Sequence, residues 1–402
     1  MNKKRENELQ NGLFEDFHMI AFLNSYSEGL SGSDLRFIEL AERIGKTKKL
    51  NLTIVTSNLG KRLCEARGLT ATFSVTSKED KLINILPTYI RRIIFAMFLR
   101  LDPNKNCIFY STSDFLPDVF PVYVFKLTHK QTKWVQLIHH IQKNPFTRKG
   151  KSFFINFLGF LSQRLSFELS KSSADLTIVV NPAIKDQLLQ TGFNRNKIVV
   201  NYNGVDLHKI QNFIPSKEKF DCVFLGRINV SKGIFDLIDV WHRVVSTNPK
   251  AKLAIIGKGD NHTEKQLYDY ITKLHLHDHI HLCGYLNDLE TFGILKSSKV
   301  FIFPSYEEGF GIAILQAMAC SLPVVAYNLP VYREIFENTI VTVPLGNTKL
   351  MSERVTFLLE NPAAAKSIGA AGVELASDYD WDKIAQREIQ LIERLNGDHF
   401  HS

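Results

Sequence analysis

Residues 220–233 read FDCVFLGRINVSKG and residues 300–319 read VFIFPSYEEGFGIAILQAMA. In each, a short apolar run ends in a glycine-bearing turn and passes into a helix, the strand–turn–helix unit of a parallel sheet. Arg227 and Lys232 flank the first turn, between Gly226 and Gly233. Two cations at a strand's carboxyl end stand where doubly wound sheets take ligands, and together they neutralise a diphosphate without a metal. In the second unit Glu308 precedes a loop whose N–H groups at Gly309, Phe310, Gly311 and Ile312 open a helix. Such an end carries about half a positive charge and binds phosphate. Glu308 has the chemistry to accept hydrogen bonds from hydroxyls, and Gln316 follows one turn into the helix.

Outward from these units, short apolar runs alternate with amphipathic segments along the whole chain. The first half carries expected strands at 18–23, 52–56, 107–110, 134–139 and 176–180; the second carries them at 222–227, 252–256, 281–284, 300–303 and 324–326. This pattern predicts an α/β fold of two Rossmann-like, doubly wound domains facing a cleft. A polar, aperiodic stretch from Asn201 to Lys219, containing Pro215, marks the linker. The expected domains are 1–205, which takes the acceptor, and 206–380, which takes the phosphate ligand. Residues 381–402 hold a final amphipathic helix, with Ile384, Ile389, Ile392 and Leu395 near helical spacing, that packs back across the cleft.

A chain of 402 residues with 45% hydrophobic and 22% charged residues supports two such cores and excludes long disorder. The net charge of +8 is uneven: residues 1–200 hold 29 Lys+Arg against 17 Asp+Glu, whereas the remainder is slightly acidic. A basic amino-terminal half faces anionic partners, whether lipid, phosphate-bearing acceptor or nucleic acid. No nucleic-acid recognition module accompanies it. Five scattered cysteines show neither metal spacing nor a disulfide framework, which fits a reducing cytoplasm. Met1 to Gln10 is polar, and the longest apolar runs (Ile93 to Leu99, Phe153 to Leu161) are too short to span a bilayer, so membrane contact is expected to be peripheral. Two basic, apolar segments, Tyr89 to Arg100 and Lys149 to Lys171, fit either a membrane surface or a packed core.

In the first half, the run 134–139 delivers His139 and His140 to its carboxyl end, where one of them lines the cleft or caps a turn. Gly29 and Gly32 let the backbone after the first strand approach an acceptor or phosphate closely. Asn203-Gly204 reads most simply as a turn. The turn at Gly257-Lys258-Gly259 is either near the ligand or a plain tight turn. Asp378-Tyr379-Asp380 superficially matches an Asp-x-Asp metal motif, but it precedes a helix instead of following an apolar strand, so capping explains it and no metal is expected.

Taken in order, the glycine-rich turn with Gly29, Gly32 and Asp34, the tetrad from Asn203 to Asp206, the Gly226-Arg227 to Lys232-Gly233 element and the loop from Glu308 to Gly311 resemble a family 4 retaining glycosyltransferase. This is the GT-B architecture of the glycogen-synthase/phosphorylase-like superfamily, and the resemblance runs almost end to end. It implies that Arg227 and Lys232 bind a nucleoside diphosphate, that Glu308 and the amides from Gly309 to Ile312 hold the donor sugar and phosphate, and that His139 contacts the sugar. It also implies that the backbone around Tyr285 and Leu286 meets the nucleobase. Similar chains carry a second Glu to hold the ribose hydroxyls where this one has Gln316, a weaker acceptor. The resemblance therefore implies a transferase that uses a nucleotide-sugar donor, a glycan or lipid-linked acceptor and no metal cofactor. It would work in cell-surface polysaccharide or lipopolysaccharide synthesis, in the cytoplasm or on the inner face of the membrane. A non-catalytic nucleotide-sugar-binding subunit, weakened by Gln316, is the second reading.

Overall fold

The computed structural model describes residues 17–25, 31–47, 50–78, 85–101, 107–142, 144–146 and 153–396. Gly29 and most of the basic loop 143–151 lie outside the described residues.

Two parallel sheets carry the chain. The first contains β1 (Phe17–Leu23), β2 (Leu50–Thr56), β3 (Thr72–Val75), β4 (Cys107–Ser111), β5 (Lys133–Ile138), β6 (Leu176–Val179) and β7 (Ile198–Val200), in the order β3-β2-β1-β4-β5-β6-β7. The second contains β8 (Phe220–Leu225), β9 (Leu253–Ile256), β10 (Ile280–Gly284), β11 (Ser298–Phe303), β12 (Val324–Tyr327) and β13 (Val341–Val343), in the order β10-β9-β8-β11-β12-β13. Central strands are apolar on both faces because helices cover both: every residue of β4 and of β9 is buried. The winding reverses between β1 and β4 and again between β8 and β11, which opens a crevice at the carboxyl ends of each pair.

The helix Ile234–Thr247 shows how sequence sets this geometry. Ile234, Leu237, Ile238, Trp241 and Val244 recur at helical spacing and are buried. Each such side chain contributes about 1.5–3 kcal/mol by leaving water. Gly233 starts the helix at φ 69°, and a Cβ there would lie 1.9 Å from the Pro304 carbonyl oxygen, so only glycine lets the β8 turn meet the segment after β11.

The chain passes between the sheets twice, and the two passages touch. Val205 N–H donates to the Tyr379 carbonyl at 2.8 Å, and Trp381 N–H donates to the Val205 carbonyl at 3.1 Å. Gly204 carries no turn here, contrary to the reading of Asn203-Gly204; it clears this crossing, where a Cβ would fall 2.7 Å from the Tyr379 carbonyl oxygen. The linker also holds a short helix, Leu207–Asn212, capped by Asp206, whose side chain accepts from Lys209 N–H.

The final helix, Trp381–Asn396, lies on the first sheet, with Trp381, Ile384, Ala385, Ile392 and Leu395 in one cluster with Met19, Phe37 and Ile44. A buried ion pair pins it: Arg36 Nη2 to Glu388 Oε2 at 2.7 Å, with Tyr110 Oη and Asn201 Nδ2 also donating to that carboxylate. Asp378 and Asp380 flank the crossing, and Asp380 accepts from Asp382 N–H at the helix start.

Candidate active site

Both sequence units end at the β8/β11 switch point. Past β8, the chain turns through Gly226 and exposed Arg227 into a short 3-10 turn, Val230–Lys232, capped by Asn229. The strand stops at Leu225, two residues short of the run expected from the sequence, which leaves Arg227 in the turn beyond the sheet. The turn is stacked on its neighbours. Gly226 N–H donates to the Ile256 carbonyl, Gly257 N–H to the Gly284 carbonyl and Ile228 N–H to the Lys258 carbonyl, so the ends of β8, β9 and β10 form one floor. Gly257 has φ 139°, and a Cβ on it would lie 1.9 Å from the Gly226 carbonyl oxygen, so this turn is a required close approach. Tyr285, 57% exposed, and Leu286 stand at the rim of that floor, past Gly284.

Past β11, Lys232 Nζ pairs with Glu308 Oε1, and Ser305 Oγ donates to the same oxygen at 3.0 Å. Tyr306 N–H donates to the Ser231 carbonyl at 2.9 Å, which ties the two loops together through backbone as well. Beneath them Asp236 Oδ2 accepts from Tyr306 Oη at 2.6 Å and from Tyr327 Oη at 2.5 Å. Burial, and after it the Asp236 carboxylate, pushes the Tyr306 hydroxyl up to about 12, so it remains a donor. The helix Ile312–Ala319 then opens from Gly311 at φ 101°, without a side-chain cap, so its first N–H groups face the cleft. Phe310 contributes only backbone there, because its ring is buried against Tyr202, Phe336 and Tyr379. Gln316 is partly exposed on this helix, and its side-chain amide has no hydrogen-bond partner among the described residues.

The first sheet closes the other wall. Gly309 lies against the carboxyl end of β5, where a Cβ would stand 2.2 Å from the His139 carbonyl oxygen. Asn181, which caps the helix Pro182–Gln190, donates from Nδ2 to the Gly309 carbonyl. Gly32, at the start of the helix Gly32–Thr47, is 3.1 Å, measured from an added Cβ, from Ile312 Cδ1, so two helix amino termini face each other. His139 Nε2 is shut off from solvent without a partner. Burial and the nearby Arg36 charge push His139 down to about 3, against a hydrogen bond to the Thr112 backbone, so the ring is neutral at physiological pH. His140 instead gives its carbonyl to Gln163 Nε2 at 2.7 Å. Burial pushes Asp34 up to about 6, opposed by its hydrogen bonds to Ser31 and by the Arg227 charge across the cleft.

Arg227, Lys232, Glu308, the loop 309–312, His139 and Gly32 thus converge on one cleft. Asn181, Ser305 and the Asp236 pair of tyrosines were not anticipated from the sequence. Asn181-Pro182 carried a helix-start signal, but the partner 128 residues away had none. Among the described residues no group of three or more His, Cys, Asp or Glu side chains is arranged to hold a metal ion.

Two doubly wound domains, each with its switch-point crevice turned towards the other, form the GT-B fold. Residues 207–374 match the family model for glycosyl transferases group 1. It is 31% identical over 177 residues to a phosphatidyl-myo-inositol mannosyltransferase of Mycobacterium leprae, covering 43% of this chain and 46% of that protein. The chain therefore spans about half the length of that relative. It is 25% identical to the N,N'-diacetylbacillosaminyl-diphospho-undecaprenol alpha-1,3-N-acetylgalactosaminyltransferase of Campylobacter jejuni, over 61% of this chain and 67% of that one. Among solved structures, Anabaena HepE in complex with UDP-glucose superposes with a TM-score of 0.73 at 18% identity, covering 93% of this chain and 99% of that chain, which shows the shared fold. No described helix is long and apolar enough to cross a membrane.

Proposed function

We propose that this chain transfers a sugar, with retained anomeric configuration, from a nucleoside diphosphate to a lipid-linked or saccharide acceptor in cell-surface glycan synthesis, at the cytoplasmic face of a membrane. The observation that carries the reading is the Lys232–Glu308 pair beside the uncapped helix start at Gly311, with Arg227 exposed at the same switch point. Lys232 and Arg227 neutralise the leaving diphosphate, and the N–H groups from Gly309 to Ile312 share its charge. Glu308, oriented by Lys232 and Ser305, accepts hydrogen bonds from the sugar hydroxyls. His139, neutral and with its buried Nε2 unpartnered, turns that nitrogen to the sugar from the opposite wall when the donor binds. Gln316 takes the ribose, and the backbone past Gly284, flanked by Tyr285 and Leu286, takes the base.

In the reaction, the bond from the anomeric carbon to the diphosphate oxygen breaks with its electron pair leaving on the diphosphate. The acceptor oxygen forms the new bond from the same face, and its proton passes to that leaving oxygen. Cations and fixed amides stabilise the charge that develops, so the reading assigns no step to a metal. The relatives that act on phosphatidyl-inositol and on a diphospho-undecaprenol carrier support an acceptor attached to lipid. A thermal-shift panel of UDP-, GDP- and ADP-sugars tests the donor half: a preferred donor at 100 times its Kd adds about 2.7 kcal/mol of stability. A panel in which no nucleotide sugar raises Tm would sink it.

A further inference from the structure

The helix Ile85–Met97 is built inside out. Its inward positions Thr88, Arg92 and Ala96 are buried, with the Arg92 guanidinium among the largest fully buried side chains. Its outward positions Leu86, Ile90 and Ile94 recur every four residues at 49%, 50% and 48% exposure, and Phe98 continues the stripe at 81%. An ordinary surface helix has the reverse arrangement. The helix Phe153–Ser173 repeats it: Asn156, Gln163, Ser166 and Ser170 are buried, whereas Phe157, Leu161 and Leu165 are exposed at the same spacing. The helix Leu116–Thr128 packs between the two and touches both, so the stripes flank it in one layer over the first sheet. Single exposed apolar residues are unremarkable, but two parallel stripes on neighbouring helices form a surface.

The charges beside the stripes are predominantly cationic. Residues 85–101 contain three arginines and no Asp or Glu; the second helix carries Arg164 beside its stripe, and its exposed Glu168, one turn past Leu165, is paired with Lys171 at 2.6 Å. Arg91, Arg100 and Arg164 are exposed. Apolar side chains with an excess of cations complement an anionic lipid headgroup layer.

Both helices are also tied to the cleft. Arg92 Nη1 donates to the Asn24 carbonyl at 3.0 Å and Tyr89 Oη to the Ser25 carbonyl at 2.9 Å, at the carboxyl end of β1. Gln163 accepts from Gln142 N–H at 2.8 Å and donates to the His140 carbonyl, past the carboxyl end of β5. Arg92 and Gln163, two of the buried polar groups that turn these helices inside out, therefore also hold the cleft rim.

We propose that these two stripes seat the chain on an anionic bilayer, and that the sugar acceptor is a lipid-phosphate-linked molecule drawn from that bilayer into the adjoining cleft. The acceptor clause rests on the transferase reading; the lipid-binding clause does not. The test is co-sedimentation of the full chain with vesicles of phosphatidylglycerol and phosphatidylcholine, against phosphatidylcholine alone. Binding to the anionic vesicles that weakens with salt is expected. The variants Ile90→Ser with Ile94→Ser, and Phe157→Ser with Leu161→Ser, should each lower the partition coefficient by at least about tenfold. The Tm shift produced by a nucleotide sugar should remain unchanged in both.

Absence of vesicle binding, or equal binding by both variants, overturns the proposal. So does a wild-type dimer in analytical ultracentrifugation that the variants convert to monomers, because the surface is then an interface between copies. Vesicle binding without any nucleotide-sugar Tm shift leaves the surface standing and defeats the transferase reading alone.

Discussion

Replacing Gly309 by Ala separates the two walls of the cleft without removing any proposed ligand group, since the residue's own N–H is kept. The added Cβ would lie 2.2 Å from the His139 carbonyl oxygen. Such contacts are not seen below about 3 Å, so one wall must retreat by about 1 Å, and neither side is a flexible side chain. Gly309 does not have a positive φ, so alanine introduces no backbone strain of its own and slightly lowers the entropy of the unfolded chain. The expected consequence is kinetic. A displacement of about 1 Å between donor loop and sugar-facing wall lowers kcat by about 100-fold. Nucleotide affinity, held on the second sheet, stays within about threefold. Initial rates of nucleotide release from a sugar donor, with calorimetric titration of the free nucleotide, measure both quantities. A Gly309→Ala enzyme with wild-type kcat would refute the idea that the His139 contact sets the working geometry. Loss of nucleotide binding in step with kcat would refute the division of labour between the walls.

Other outcomes follow from groups around the cleft. Glu388→Ala strands the buried Arg36 guanidinium and should cost about 3–5 kcal/mol in urea unfolding, whereas Arg36→Met with Glu388→Leu should recover most of it. Burial pushes Asp118 from 3.8 up to about 7, so the folded state holds an extra proton between those values; stability is full below pH about 4 and declines as pH rises towards 7. Asp118→Asn should flatten that slope in Tm measured against pH, and an unchanged slope would contradict the assignment. Gly204→Ala, with its Cβ 2.7 Å from the Tyr379 carbonyl oxygen, should cost more than about 2 kcal/mol by calorimetry.

The sheets were legible because buried parallel strands are written as apolar runs. The three strands that escaped, β3, β7 and β13, are all sheet edges. None is fully buried: in β3 no residue is, and in β7 and β13 one residue each. Half-exposed edges need no apolar run, so their sequences carry little signal. The cation turn and the helix-end loop were legible for a related reason, since glycine, charge and strand end lie within fourteen consecutive residues in the first unit.

What brought them together was not legible. Lys232 and Glu308 are 76 residues apart, Asn181 and Gly309 are 128, and Arg36 and Glu388 are 352. The two basic, apolar segments were recognised as fitting either a membrane surface or a packed core, but the sequence does not say which face turns inward. Only the contact of Arg92 with Asn24 settles that the arginine is inside and Ile90 outside.

The central claim is that Arg227 and Lys232 stabilise a leaving diphosphate. Its most direct test is the single-turnover rate of nucleotide release from the preferred donor by the Arg227→Ala and Lys232→Ala enzymes. Each rate should fall by about 100-fold or more relative to the unmodified chain. Near-normal rates in both would contradict the account.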